Sequence, residues 1–285
     1  MQRETKAVRS VTYYENEGDK THGTSMSGWA HRRNRREAGN VVGPTLSIMN
    51  GYTPESLATI DVGGAYRDLR ERVNAVVAGI TADDWERIVP HCPQWSVRQT
   101  LAHMAGVVDD AINQNLTGVA TPAWTQAHLD KRVGRDGPDI VEEWNTYAPF
   151  VEAVATQRGM ALSQLLFDAA THEHDLRHAL GIPGARDSTA VAVGLGFVVT
   201  QLVSREGGSP ARIIVDGVEF TPDAAQDRPL LKATAYDVIR CFGSRRSRVQ
   251  VEGLDWSSSD PATFDGLTFF DGLTFFGYPP TAIEE

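Results

Sequence analysis

The stretch Leu165–Gly181, LLFDAATHEHDLRHALG, constrains the fold more than any other part of the chain. Asp168, His172 and Asp175 follow one another at spacings of four and three, which on an α-helix places them on one stripe. Leu162, Leu165, Leu166, Ala169, Leu176 and Leu180 form an apolar stripe beside it, so the polar groups border a buried face. A carboxylate and an imidazole at i and i+4, next to a core, is how a helix offers two ligands to one divalent metal. The pair alone is weak evidence, because such pairs also form minor ion pairs on exposed helices. A third ligand must come from elsewhere, and His103 is the candidate. Glu173, His174 and His178 point away from the Asp168–His172 line and are expected to be solvated.

Composition sets broad limits. The 285 residues permit one large domain or two modest ones. A net charge of -10 argues against nucleic acid or an anionic membrane as the main partner. The longest apolar run, Ala190–Val203, includes Thr200 and Gln201 and falls short of the roughly 20 residues a membrane span needs. No N-terminal stretch has the apolar core of a signal peptide. Cys92 and Cys241 make no disulfide framework, so a reducing, cytoplasmic setting is expected.

Residues 1–55 lack apolar periodicity and are rich in Gly, Ser, Thr, Asn and Arg. They read as a disordered tail, or as an extension upstream of a start at Met26 or Met49. Nucleic-acid binding by Arg32, Arg33, Arg35 and Arg36 is the sharper alternative, thinly supported without interleaved aromatics. Helical spacing then predicts a helix over 65–79, a short one over 81–89 capped by Thr81, and one beginning at Ser96. There Ser96 and Gln99 form a capping-box pattern. On that helix His103, Asp110 and Gln114 border the Val97, Leu101, Met104, Val108 stripe. A short helix or ordered loop covers 122–133. A helix over 140–157 would bury Ile140, Trp144, Tyr147, Val151 and Val154, with a kink or break at Pro149. Asp187–Arg205 reads as a buried apolar helix. Beyond Gly208 the pattern predicts a hairpin over 211–221, a strand over 230–233, a helix over 234–242 and a strand over 248–252. The repeated DGLTFF at Asp265–Phe270 and Asp271–Phe276 reads as a local duplication that leaves aromatic residues exposed.

Three segments share a resemblance. PQWSVRQTLAHMAG, with Trp95, Ser96 and His103, resembles the first motif helix of the mycothiol-dependent maleylpyruvate isomerase family, a branch of the DinB-like metal-binding four-helix bundles. DAATHEHDLRHALG resembles the second motif of that family through Asp168, His172, Asp175, Leu176, Ala179, Leu180 and Gly181. GSRRSRVQVEGLDW resembles its C-terminal domain through Gly243, Arg245, Arg246, Ser247, Arg248, Asp255 and Trp256. The chain departs from the family pattern twice: Asp168 replaces the usual Glu, and His174 replaces the usual aromatic residue before the Asp-Leu pair.

The resemblance implies a mainly α fold: a DinB-like four-helix bundle over 56–206, followed by a small α+β C-terminal domain over 207–285. It implies that His103, Asp168 and His172 hold one divalent metal, with zinc the first candidate, and leave an open position. In the family mycothiol, the low-molecular-weight thiol of actinobacteria, fills that position with its thiol. A bound metal ion lowers the pKa of a thiol, and the thiolate then adds to a small electrophile. Asp175 would be the outer partner of His172, and Arg245 and Arg246 would meet an anionic substrate. The expected activity is an isomerase or S-transferase, in a monomer or homodimer. A metal-dependent hydrolase using bound water, or a metal- or thiol-binding module without turnover, are the alternatives.

Overall fold

The computed structural model describes residues 52–206, 208–221, 228–257 and 272–285. Residues 50–285 form one compact unit. The expected N-terminal tail with its Arg cluster lies outside the described residues as far as residue 51, and so does the first DGLTFF copy.

The fold is mainly helical. Four long helices close a ring: α2 (Val62–Val77) packs on α6 (Gly137–Arg158), α6 on α4 (Val97–Asn113), α4 on α7 (Ser163–Leu180), and α7 back on α2. This is the expected four-helix bundle. Short helices α1 (Pro54–Leu57) and α3 (Ala82–Trp85) flank it, and α5 (Pro122–Lys131) lies on α4. α8 (Thr189–Val203) packs on α7, α2 and α9 (Ala235–Phe242), with nearly every side chain of its middle buried. Among the described residues no helix is long and apolar enough to cross a membrane.

The C-terminal part carries a four-stranded sheet in the order β4 (Val218–Glu219), β3 (Arg212–Val215), β5 (Leu230–Ala233), β6 (Asp255–Trp256). β3 and β5 are parallel and the other pairs antiparallel. The β3–β4 hairpin turns on Asp216 and Gly217, both with positive φ, the backbone a two-residue hairpin loop requires.

Local chemistry explains where the elements depart from the sequence pattern. The helix expected over 81–89 stops at Trp85, and β1 (Ile88–Val89) pairs instead with β2 (Cys92–Ser96). Val89 precedes Pro90, and the proline ring pushes its neighbour out of the helical region. The strand expected over 248–252 is helix α10 (Arg248–Glu252). Ser247 and Gln250 form a reciprocal capping box there, which outweighs the alternating valines. Pro149 leaves α6 unbroken. It lies on the exposed face, so water can satisfy the carbonyl it leaves without a donor. Tyr147 is exposed, because the buried stripe of α6 runs Ile140, Trp144, Ala148, Val151, Ala155.

Of the second DGLTFF copy the structure describes residues 272–276, and Leu273 and Phe275 pack into the core, contrary to expectation. Leu273 is buried, and the Phe275 ring lies 5.6 Å from Phe167, 5.8 Å from Phe197 and 5.5 Å from Phe242. Only Phe276 of the Phe pair stays exposed. Replacing Leu273 by Ala is expected to cost about 3 kcal/mol, the usual range for a buried Leu, and Phe276→Ala less than about 0.5 kcal/mol. Urea unfolding of the two variants checks this, and equal costs would place Leu273 outside the cooperative core.

Candidate metal centre

α4 and α7 supply the site. The α4 start is fixed by Ser96, whose hydroxyl accepts from the Gln99 N–H while the Gln99 side chain accepts from the Ser96 N–H. From this cap Val97, Leu101, Met104 and Val108 fall on the core side, and His103 faces α7. The end of α7 is fixed by Gly181 in the left-handed region. Its N–H donates to the His178 carbonyl and the Ile182 N–H to the Arg177 carbonyl, the Schellman arrangement.

His103, Asp168 and His172 come together as the sequence predicts. His103 Nε2 lies 3.5 Å from one Asp168 carboxylate oxygen and His172 Nε2 lies 3.7 Å from the other. One ligand-type atom from each of the three falls within 4.8 Å of the others. Both imidazoles are buried, whereas the Asp168 side chain is 36% exposed, so the trio opens to solvent on the carboxylate side. Burial opposes the Asp168 charge. The His103 imidazole outweighs it, joined by His172 and Arg245, and holds the carboxyl down to about 2. Burial pushes the His172 imidazole down. Trp95 lies over both rings, its centroid 5.3 Å from His103 and 5.8 Å from His172.

Each imidazole turns its second nitrogen to another group. His172 Nδ1 is 3.2 Å from Asp175 Oδ2, off the line of an ideal hydrogen bond. His103 Nδ1 is 3.1 Å from His128 Nδ1, and His128 Nε2 is 2.9 Å from Asp110 Oδ2. The set therefore fits a divalent metal: two imidazole nitrogens and a carboxylate converge, with outer partners on both rings. A second group, Cys92, His172 and Asp175, also has its ligand-type atoms close together. Arg245 sits in it, its Nη2 2.8 Å from Asp175 and 3.4 Å from Cys92 Sγ. Burial pushes the Cys92 thiol up to about 12. A fixed guanidinium and a protonated thiol do not make a cation site.

Asp175 is wholly buried and is the hub behind the trio. Arg240 Nη1 donates to its Oδ1 at 2.7 Å, and Arg245 donates to both oxygens. Burial opposes its charge, and the two guanidinium groups hold its carboxyl well below the usual range. Arg245 thus stands immediately behind His172. Arg246 does not join the group, because its guanidinium donates to Glu285. The neighbours expected to be solvated are not. Glu173 is buried between Arg72, which donates from Nε at 2.9 Å and Nη2 at 2.8 Å, and Arg177. His174 is buried edge-on to Tyr236, and burial pushes its imidazole down to about 3. His178 is half-buried, its ring 5.1 Å from His91. His128 and Trp124 beside it carry no sequence signal of their own, because the turn that brings α5 onto α4 is not readable from spacing.

A helical bundle with two histidines and a carboxylate converging between two of its helices defines a class of potential metal-binding proteins. Residues 66–181 match the model of the mycothiol maleylpyruvate isomerase N-terminal domain family. His103, Asp168 and His172 all lie within it. A solved structure of a mutant of the mycothiol-dependent maleylpyruvate isomerase aligns with 74% of this chain and 97% of its own, at 10% identity and a TM-score of 0.49. No curated protein sequence matches the chain significantly.

Two tests follow from the hub. Removing the charge of Asp175 leaves the largely buried Arg245 without its carboxylate and Arg240 with Glu285 alone, so Asp175→Asn is expected to destabilise the fold by about 3 kcal/mol. A denaturation curve showing a loss under about 1 kcal/mol would contradict that dependence. His91, with its side chain buried against Asp175 and Glu285, gives a pH signature. Burial, helped by Arg240, pushes its imidazole from 6.5 to about 4. Between those values the unfolded chain binds the extra proton, so stability is complete above pH 6.5 and falls as pH drops toward 4. The facing carboxylates of Asp175 and Glu285 titrate below this window. Urea unfolding between pH 7 and pH 4 is expected to show a smaller loss in His91→Gln, by up to about 3 kcal/mol. Parallel pH profiles would remove His91 from the account.

Proposed function

We propose that the protein is a metal- and mycothiol-dependent enzyme of the maleylpyruvate isomerase type, an isomerase or S-transferase for a small electrophile. The observation that carries this reading is the convergence of His103 Nε2, His172 Nε2 and the Asp168 carboxylate on one point that is open on one side. These three residues would hold the divalent ion, and zinc suits two imidazoles and a carboxylate with a position left free. When bound, such an ion lowers the pKa of a thiol at the free position.

The remaining roles belong to the chain itself. Asp175 stands behind the His172 imidazole and orients it. Trp95 covers both rings and limits water on that side. The exposed edge of Asp168 leaves the approach for thiol and substrate. Arg245 is the nearer arginine to the trio and its charge acts on Asp168, but its donors are held by Asp175, Gly243 and Cys92, so it would meet an anionic substrate only by giving up one of them. Arg246, committed to Glu285, would act only by holding that segment in place.

Elemental analysis of the purified protein is expected to find about one equivalent of a divalent metal per chain, and much less in His172→Ala with the fold retained by circular dichroism. Turnover of an α,β-unsaturated acid should then require mycothiol. Metal-dependent cleavage of an ester or amide without thiol would favour the hydrolase. Metal and thiol binding without turnover would favour the binding module. No metal after zinc loading would overturn the reading.

A further inference from the structure

The buried face of α4 behind His103 holds a line of polar groups that the proposed chemistry leaves unused. Asp110, His128 and His103 succeed one another at 2.9 and 3.1 Å, all three buried. The line is tightly built. Gly106 lies against the His128 ring, and a Cβ at that position would come within 2.3 Å of His128 Cγ, so only glycine lets α5 approach this closely. Trp124 stands edge-on to His128 at 4.2 Å, and its Nε1 donates to the Asn115 carbonyl. Asn115 Nδ2 in turn donates to Asp110 Oδ1. Asp110 therefore has one oxygen taken by Asn115 and the other facing His128.

We propose that His128 is a positioning residue which, with Asp110, sets the tautomer of His103 and so keeps its Nε2 lone pair aimed at Asp168 and His172. The assignment follows from counting protons. A carboxylate only accepts, so the neutral His128 must carry its proton on Nε2 and donate it to Asp110. That leaves a lone pair on His128 Nδ1. The facing nitrogen of His103 must then be the donor, because two lone pairs at 3.1 Å would repel. With Nδ1 protonated, His103 presents a free lone pair at Nε2, the nitrogen 3.5 Å from Asp168. Asp168 faces the other end of the line, but at 3.5 Å from His103 Nε2 it is the longer contact, against 2.9 Å between Asp110 and His128 Nε2, so the order of protons is set from Asp110 outward. The consequence for metal binding rests on the reading of His103, Asp168 and His172 as ligands; the tautomer itself does not.

Asp110→Asn gives the sharpest test. The Asn carbonyl keeps the bond from Asn115, which turns its NH2 toward His128 Nε2. Every proton in the line then reverses, and His103 carries its proton on Nε2. Nitrogen-15 NMR of the imidazoles in the metal-free wild type is expected to show His103 protonated at Nδ1 and His128 at Nε2, and the opposite order in Asp110→Asn. Zinc affinity, measured by competition with a chromophoric chelator, is expected to fall about 10- to 100-fold in Asp110→Asn and in His128→Phe, which keeps a ring in place. Thermal melting of both variants identifies any loss that comes from misfolding. A wild-type His103 protonated at Nε2, or folded variants that bind zinc as tightly as wild type, would overturn the proposal. The assigned tautomers in a wild type that takes up no zinc would uphold the proton order and overturn the metal centre instead.

Discussion

The arrangement depends on one buried carboxylate. Asp175 has no exposed surface, yet it stays ionised because Arg240 and Arg245 both donate to it. Desolvating a carboxylate costs several kcal/mol, and desolvating a guanidinium beside it adds to that cost. Such a cluster persists only where every partner arrives together. α7 brings the carboxylate, α9 brings Arg240, and the turn after α9 brings Arg245. The helical ring and the C-terminal sheet part are therefore tied at the point where α7 carries His172.

The same cluster shapes the site electrically. With its charge balanced by two arginines, Asp175 can orient His172 without drawing it into a full ion pair, and burial favours the neutral ring. His128, also pushed down by burial, plays the matching part behind His103. A neutral His172 beside an ionised Asp168 is the protonation state that metal ligation needs, so that ring has no proton to expel first. The two rings are braced by different groups, His172 by a charge-balanced carboxylate and His103 by a second histidine.

Much of this was legible in the chain. The i, i+4 spacing of Asp168 and His172 and the capping box at Ser96 are local signals, and both survive in the fold because helix faces follow from periodicity alone. What could not be read depends on contacts between distant segments. Glu173 and His174 look like solvent-facing residues until Arg72 from α2 and Tyr236 from α9 close over them. His128 gains meaning only because Gly106, 22 positions earlier in the chain, has no side chain to hold α5 away. The valines of 248–252 mimic a strand, and only the cap at Ser247 decides for a helix. Phe275 belongs to a repeat that looks accidental, and its burial is settled by rings from α7, α8 and α9.

Asp168 brings these strands of argument together. Its side chain is one methylene shorter than the glutamate usual in the family pattern, so a rigid pair of imidazoles set for glutamate would stand too far off. Here its two oxygens lie at 3.5 and 3.7 Å from the two Nε2 atoms, almost evenly shared. The shorter arm does reach, because α4 and α7 pack directly and each ring is braced from behind rather than by the carboxylate. The bracing residues therefore matter more here than they would around a longer, self-adjusting ligand. A rotation of either ring cannot be followed by a side chain with one fewer torsion.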